Sequence, residues 1–184
     1  FRGQQDREAK ALMAEAALAL VEPGMSVMIN DGSMAATLGA RLIEKRPLSV
    51  ITNNAAILDA LKGEAGITLI ATGGTYSPKF NGFFGMVTEA ALAALRADIG
   101  FISAPAVAGT QVFHMDEAVV RAKRAMMAAS AKTCLLVHHS RFGRTALHRL
   151  ADLAEFDHVI TDSAPDRGLT QEMTQAGVPL TVAG

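Results

Sequence analysis

Apolar residues along this chain follow two rhythms that alternate. Over residues 6–21, Leu12, Ala16, Ala19 and Leu20 recur at helical spacing, and Pro23-Gly24 ends the pattern. A short apolar run, Ser26-Val27-Met28-Ile29, predicts a strand that stops at Asn30-Asp31-Gly32-Ser33 and re-enters a helix to about residue 44. The same unit recurs. Leu48-Ser49-Val50-Ile51-Thr52 ends in Asn53-Asn54 and leads into a helix, and Ile67-Thr68-Leu69-Ile70-Ala71 ends in Thr72-Gly73-Gly74-Thr75. A loop with Ser77-Pro78-Lys79 and Asn81-Gly82 follows, then a helix over 87–96 and a strand over 99–103. A long loop over 104–115 is expected before a helix over 116–131. A strand over 133–137, a polar turn over 138–144, a strand over 158–161, a helix over 165–176 and a strand over 179–182 complete the pattern.

Short, nearly continuous apolar strands alternating with helices predict an α/β domain. Its expected core is a mostly parallel open sheet flanked by helices. The chain has 184 residues, enough for one sizeable core, and half are apolar, which excludes disorder. No repeat or linker composition divides it, so residues 1–184 are expected to form one domain, with a small excursion near the C-terminus.

Charge narrows the function. Lys+Arg 17 against Asp+Glu 18 gives a net charge of −1, without the basic excess of a chain that grips nucleic acid by itself. The single cysteine, Cys134, excludes a disulfide framework. No apolar run is long enough for a membrane helix, and the polar start Phe1-Arg2-Gly3-Gln4-Gln5-Asp6 carries no secretory pattern. A cytoplasmic location is therefore expected. The start at Phe1 rather than Met suggests part of a longer protein.

Polar residues gather at predicted strand ends, where open parallel sheets bind ligands. Asp31, Gly32 and Ser33 form the first cluster: Gly32 admits close backbone approach, Ser33 is placed to cap the next helix, and the free amides there suit an anion. Thr52 and Asn53 form the second, and Gly73 and Gly74 the third. Each is equally an ordinary turn or cap taken alone. On the helix over 116–131, Arg121, Lys123 and Arg124 offer either a solvated face or one basic side chain turned toward an anion.

Adjacent His138 and His139 on an extended chain face opposite ways, so no metal site is expected from them. Gly-x-Gly-x-x-Gly, Walker and Gly-x-Ser-x-Gly motifs are missing, and neither a cofactor nor a catalytic residue is expected. Glu117, Asp31 and Lys123 are the only plausible acid–base set for the competing reading, a sugar-phosphate isomerase or deaminase.

Taken in order, Asn30-Asp31-Gly32-Ser33, Val50-Ile51-Thr52-Asn53, Thr72-Gly73-Gly74, Asp116-Glu117-Ala118, Lys123-Arg124-Ala125-Met126, His139-Ser140-Arg141-Phe142-Gly143 and Ile160-Thr161-Asp162 form a pattern. It resembles the C-terminal effector domain of DeoR-family transcriptional regulators over nearly the whole chain. The resemblance implies a fold like ribose-5-phosphate isomerase and glucosamine-6-phosphate deaminase. It implies an oligomeric domain that senses a phosphorylated sugar or related metabolite, attached in the full-length protein to an N-terminal winged helix-turn-helix that binds operator DNA. Asp31, Gly32, Ser33, Thr52, Asn53, Gly73 and Gly74 match the family's strand-end turns. Counted from Met126 the basic helix residue is Lys123; counted from Glu117-Ala118 it is Arg121. Asn30, Met34, the acid-free loop 104–110 and the His138-His139 pair depart from the family pattern.

Overall fold

A computed structural model describes residues 2–184; Phe1, the first residue of the expected domain, lies outside the described residues. Among the described residues, twelve strands and six α-helices follow one another. They are α1 (Arg2–Leu18), β1 (Ser26–Ile29), α2 (Ser33–Arg41), β2 (Leu48–Thr52), α3 (Ala55–Leu61), β3 (Ile67–Ala71), β4 (Thr75–Ser77) and β5 (Gly82–Phe84). After these come α4 (Met86–Ala93), β6 (Ala97–Ser103), β7 (Ala106–Ala108), β8 (Gln111–His114), α5 (Glu117–Ala128), β9 (Ser130–Val137), β10 (His148–Asp152), β11 (His158–Thr161), α6 (Arg167–Gln175) and β12 (Leu180–Val182).

Seven strands form the central sheet in the order β12-β11-β9-β6-β1-β2-β3, all parallel. Alternation along each strand sends side chains to opposite faces. Val27 and Ile29 of β1 join one core with Met13, Ala14 and Ala17 of α1 and Leu38 of α2. Met28, between them, joins the other core with Val120 and Met126 of α5. Burial on both faces explains why the strands read as continuous apolar runs.

The chain winds outward from β1 through β2 to β3, then returns to place β6 on the other side of β1. The strand order therefore reverses between β1 and β6. The chain leaves β1 into α2 on one face of the sheet and leaves β6 toward β7, β8 and α5 on the other, which opens a crevice at the carboxyl ends of these two strands.

Two small sheets correct the expected loops. The span 104–115 is not a structureless loop: β7 and β8 form a hairpin about Gly109-Thr110, and β10 pairs antiparallel with β8. The hairpin β4–β5 occupies the span after Gly74. These strands are three to five residues long, and β10 lies far from β8 in sequence, so local periodicity does not reveal them.

Candidate functional site

The crevice holds a cavity of about 350 Å3, within the range of small-ligand sites. Asp31, Gly32 and Ser33 supply one wall from the end of β1, and Ser103, Ala104 and Pro105 another from the end of β6. Lys123 rises from α5 as the floor, while Asp6 and Lys10 of α1 close the near side.

Asn30 joins the two strand ends. Its Nδ2 donates to Ser103 Oγ at 3.1 Å, and the Ser103 amide donates to Asn30 Oδ1 at 3.2 Å. At Gly32 the backbone takes φ 103°, which L side chains rarely adopt, and a Cβ there meets Ser103 Oγ at 3.3 Å. Gly32 thus lets β1 turn into α2 against β6. Gly32, not Ser33, is the N-cap of α2, and no side chain caps it. Ser33 is already helical; its hydroxyl accepts from Lys10 Nζ at 2.9 Å. The expectation of a Ser33 cap is corrected accordingly. Among the described residues no hydrogen bond takes up the Ser33, Met34 or Ala35 amide, so these donors remain available at the positive end of the α2 dipole.

Lys123 is 2% exposed and donates from Nζ to the Ser103 carbonyl at 2.7 Å. Burial pulls its pKa below the ordinary lysine value, and the Asp31 charge acts the other way. Asp31 is 4% exposed, and its Oδ1 has no hydrogen-bond partner among the described residues. Burial pushes its carboxyl above the usual range, opposed by the Lys123 charge. A buried acceptor without a donor costs about 1–3 kcal/mol, which a hydroxyl donor placed there would recover.

Arg121 does not share this position. It lies on the outer face of α5 and pairs with Glu89 of α4 at 2.9 Å, its side chain 58% exposed. Two residues along a helix turn a side chain to roughly the opposite face, so Lys123 and Arg121 cannot both look inward. Glu117 is likewise exposed, which removes one member of the acid–base set.

The second and third clusters brace the cavity without lining it. Thr52 Oγ1 donates to the Ile29 carbonyl at 2.7 Å, and Asn53 Nδ2 donates to the Phe83 carbonyl at 2.9 Å. Asn54 caps α3 with its side-chain oxygen while its Nδ2 donates to the Asn30 and Gly32 carbonyls, both at 3.1 Å. Gly73 and Gly74 serve the β4–β5 hairpin. Thr88 Oγ1 donates to the Gly73 carbonyl at 2.6 Å, and a Cβ at Gly74 would collide with Thr88 Oγ1 and approach the Phe84 carbonyl to 2.9 Å.

Lys10, Phe80, Ser103 and His114 are four among the residues of the cavity wall that escaped sequence reasoning, and His138 and Ser140 join the wall from the end of β9. His114 accepts from the Asp116 amide through Nδ1 at 2.9 Å, which leaves Nε2 protonated in the neutral ring. Burial, with the Lys123 charge adding to it, pulls its pKa down to about 4. None of the four carries a local motif, since they arrive from α1, the β4–β5 loop, β6 and β8.

The DeoR C terminal sensor domain family matches residues 5–163. The L-fucose operon activator of Haemophilus influenzae is 32% identical over 160 residues, which is 86% of this chain and 64% of that protein. The glycerol-3-phosphate regulon repressor of Escherichia coli is 25% identical over 174 residues, 94% of this chain and 69% of that protein. The chain thus spans about two thirds of the length of these relatives. Ribose 5-phosphate isomerase A of Methanocaldococcus jannaschii shares the fold, with a TM-score of 0.52 and 20% identity over 74% of this chain and 55% of that one. No helix among the described residues is long and apolar enough to cross a membrane. With the family pattern running through most of its length and regulators among its relatives, the chain belongs to the DeoR C-terminal sensor domain family.

Proposed function

We propose that this domain senses a small phosphorylated metabolite and transmits its presence to a DNA-binding module elsewhere in a cytoplasmic, homo-oligomeric bacterial regulator of carbohydrate use. The observation that carries this reading is the buried Lys123 ammonium in one cavity with the unbonded amides of Ser33 and Met34 and the unpaired Asp31 Oδ1. The amides and Lys123 suit a phosphate or other oxyanion. Asp31 suits a hydroxyl. A sugar phosphate or polyol phosphate offers both.

Asp31, Gly32, Ser33 and Lys123 are proposed as contacts. Thr52, Asn53, Gly73 and Gly74 are proposed as the brace that holds the β1 turn and the hairpin in place, and Arg121 is assigned no contact. The name of the glycerol-3-phosphate regulon repressor supports a phosphorylated effector. Turnover is not part of the proposal, because Glu117 stands outside the cavity and only Asp31 and Lys123 of the acid–base set remain.

Calorimetric titration with glycerol 3-phosphate and a panel of sugar phosphates tests the reading, with the unphosphorylated parents as controls. Saturable binding of at least one ester and none of its parent is expected. Silence across the panel at millimolar ligand removes the phosphate seat, and conversion of any ester during the titration replaces the sensor with an enzyme.

A further inference from the structure

At the cavity rim, β9 and β11 end side by side. Val137 pairs with Thr161, so the next residues, His138 and Asp162, leave the sheet as neighbours. The chain does not continue extended there. His138 begins a 3-10 turn over His139–Arg141, which swings both imidazoles to the same side with ring centroids 4.3 Å apart. The premise that adjacent histidines must diverge does not hold at this turn.

The ligating atoms of His138, His139 and Asp162 all lie within 4.8 Å of one another. His139 Nδ1 is 2.6 Å from Asp162 Oδ2. His138 Nε2 is 3.7 Å from the same oxygen and 3.7 Å from Asp6 Oδ1, which reaches in from α1. That separation is too long for a hydrogen bond. It is shorter than two metal–ligand bonds end to end, about 4 Å, so an ion can bridge it with little movement.

The supporting contacts are those a metal site needs. His138 Nδ1 lies 2.7 Å from Ser140 Oγ, which fixes the ring with Nε2 outward. The His139 amide donates to Asp162 Oδ1 at 2.7 Å, which holds the carboxylate with Oδ2 toward the rings. The Asp162 side chain is buried, whereas that of His139 is half exposed and free to adjust.

We propose that His138, His139 and Asp162, with Asp6 as a fourth ligand, form a site for a divalent transition metal of the zinc class. Two imidazoles with carboxylates favour such an ion over magnesium or calcium, which prefer all-oxygen shells. On binding, each neutral imidazole turns an unprotonated nitrogen to the ion: His139 moves its proton from Nδ1 to Nε2 on the solvent side, and His138, whose Nδ1 accepts from the Ser140 amide in the metal-free chain, moves its proton from Nε2 to Nδ1, where it donates to Ser140 Oγ. The site adjoins the effector cavity, whose wall includes Asp6, His138 and Ser140, but it uses none of the proposed effector contacts Asp31, Gly32, Ser33 and Lys123.

The test is titration of the chain, free of any histidine tag, with Zn2+ followed by calorimetry and with Co2+ followed by its visible d–d absorption. One ion per chain, a Co2+ spectrum bleached by Zn2+ and indifference to excess Mg2+ are expected. His139→Gln changes an exposed group. It should keep the metal-free melting temperature and lose the Co2+ spectrum. Ser140→Ala, which removes only the group orienting His138, should weaken Zn2+ about ten- to a hundredfold. No saturable binding at micromolar Zn2+ overturns the proposal. So does unchanged affinity in a folded His139→Gln protein or in a His138→Gln/His139→Gln double variant.

Discussion

The Lys123 ammonium donates to the Ser103 carbonyl at 2.7 Å, tying the middle of α5 to the end of β6 beneath the cavity. The bond takes one of its three protons, and Asp31 supplies the opposing charge. The remaining donor capacity is what the proposed anion would use.

Lys123→Met should therefore weaken binding of a phosphate ester about ten- to a hundredfold, the worth of one charged hydrogen bond. Arg121→Ala should leave that affinity unchanged and barely move the melting temperature, because its pair with Glu89 is at the surface. Calorimetry on both variants decides between these two residues. Equal losses would refute the assignment.

Asp31→Asn should raise the melting temperature, and by more at about pH 8 than at about pH 4. Burial raises the native Asp31 pKa above its unfolded value. The stability this group contributes is therefore complete below the ordinary carboxylate range and is lost as pH rises through the raised value. Asparagine does not ionise and escapes that loss. A gain independent of pH would show that Asp31 is not held against its charge. The same substitution should weaken any ligand that donates a hydroxyl to Oδ1.

His114 gives the opposite pH dependence. Its pKa falls from the ordinary 6.5 to about 4 in the fold. The contribution is complete above pH 6.5 and is lost as pH falls toward 4, amounting to about 1–2 kcal/mol after allowance for water at the cavity mouth. Denaturant unfolding across this range should show the loss in the wild type and a flatter profile in His114→Gln.

Two glycines separate binding from scaffolding. Gly32→Ala and Gly74→Ala each impose a left-handed backbone on an L residue, at a cost of about 1–3 kcal/mol. Gly74→Ala adds the collision with Thr88 and should destabilise more. Only Gly32→Ala should also change ester affinity, since Gly32 lines the cavity. Ser33→Asp, which sets a carboxylate beside the free amides, should abolish phosphate binding with little change in melting temperature.

The central sheet was legible because its strands are buried on both faces and so appear as unbroken apolar runs such as Val27-Met28-Ile29 and Leu135-Leu136-Val137. Asp31, Gly32 and Ser33 were legible because a glycine turn between strand and helix has a local cause. Spacing alone did not decide between Lys123 and Arg121, since both stand one or two positions from apolar residues. Packing of Val119, Ala122 and Met126 settles which face of α5 is inward. The double glycine looked like a ligand turn because the same backbone freedom serves a close hairpin. Lys10, Phe80 and His114 were invisible, because each reaches the cavity through a tertiary contact and no neighbour in sequence announces it.

The Lys10–Ser33 bond carries one more consequence. α1 is seated on the body by an apolar stripe, Met13, Ala14 and Ala17, nearer its C-terminal end, and by polar groups, Asp6 and Lys10, nearer its start. A guest that recruited the Lys10 ammonium would release the polar start of the helix while its apolar half stayed anchored, so the proposed signal could pass as a tilt of a rod seventeen residues long with the sheet held still.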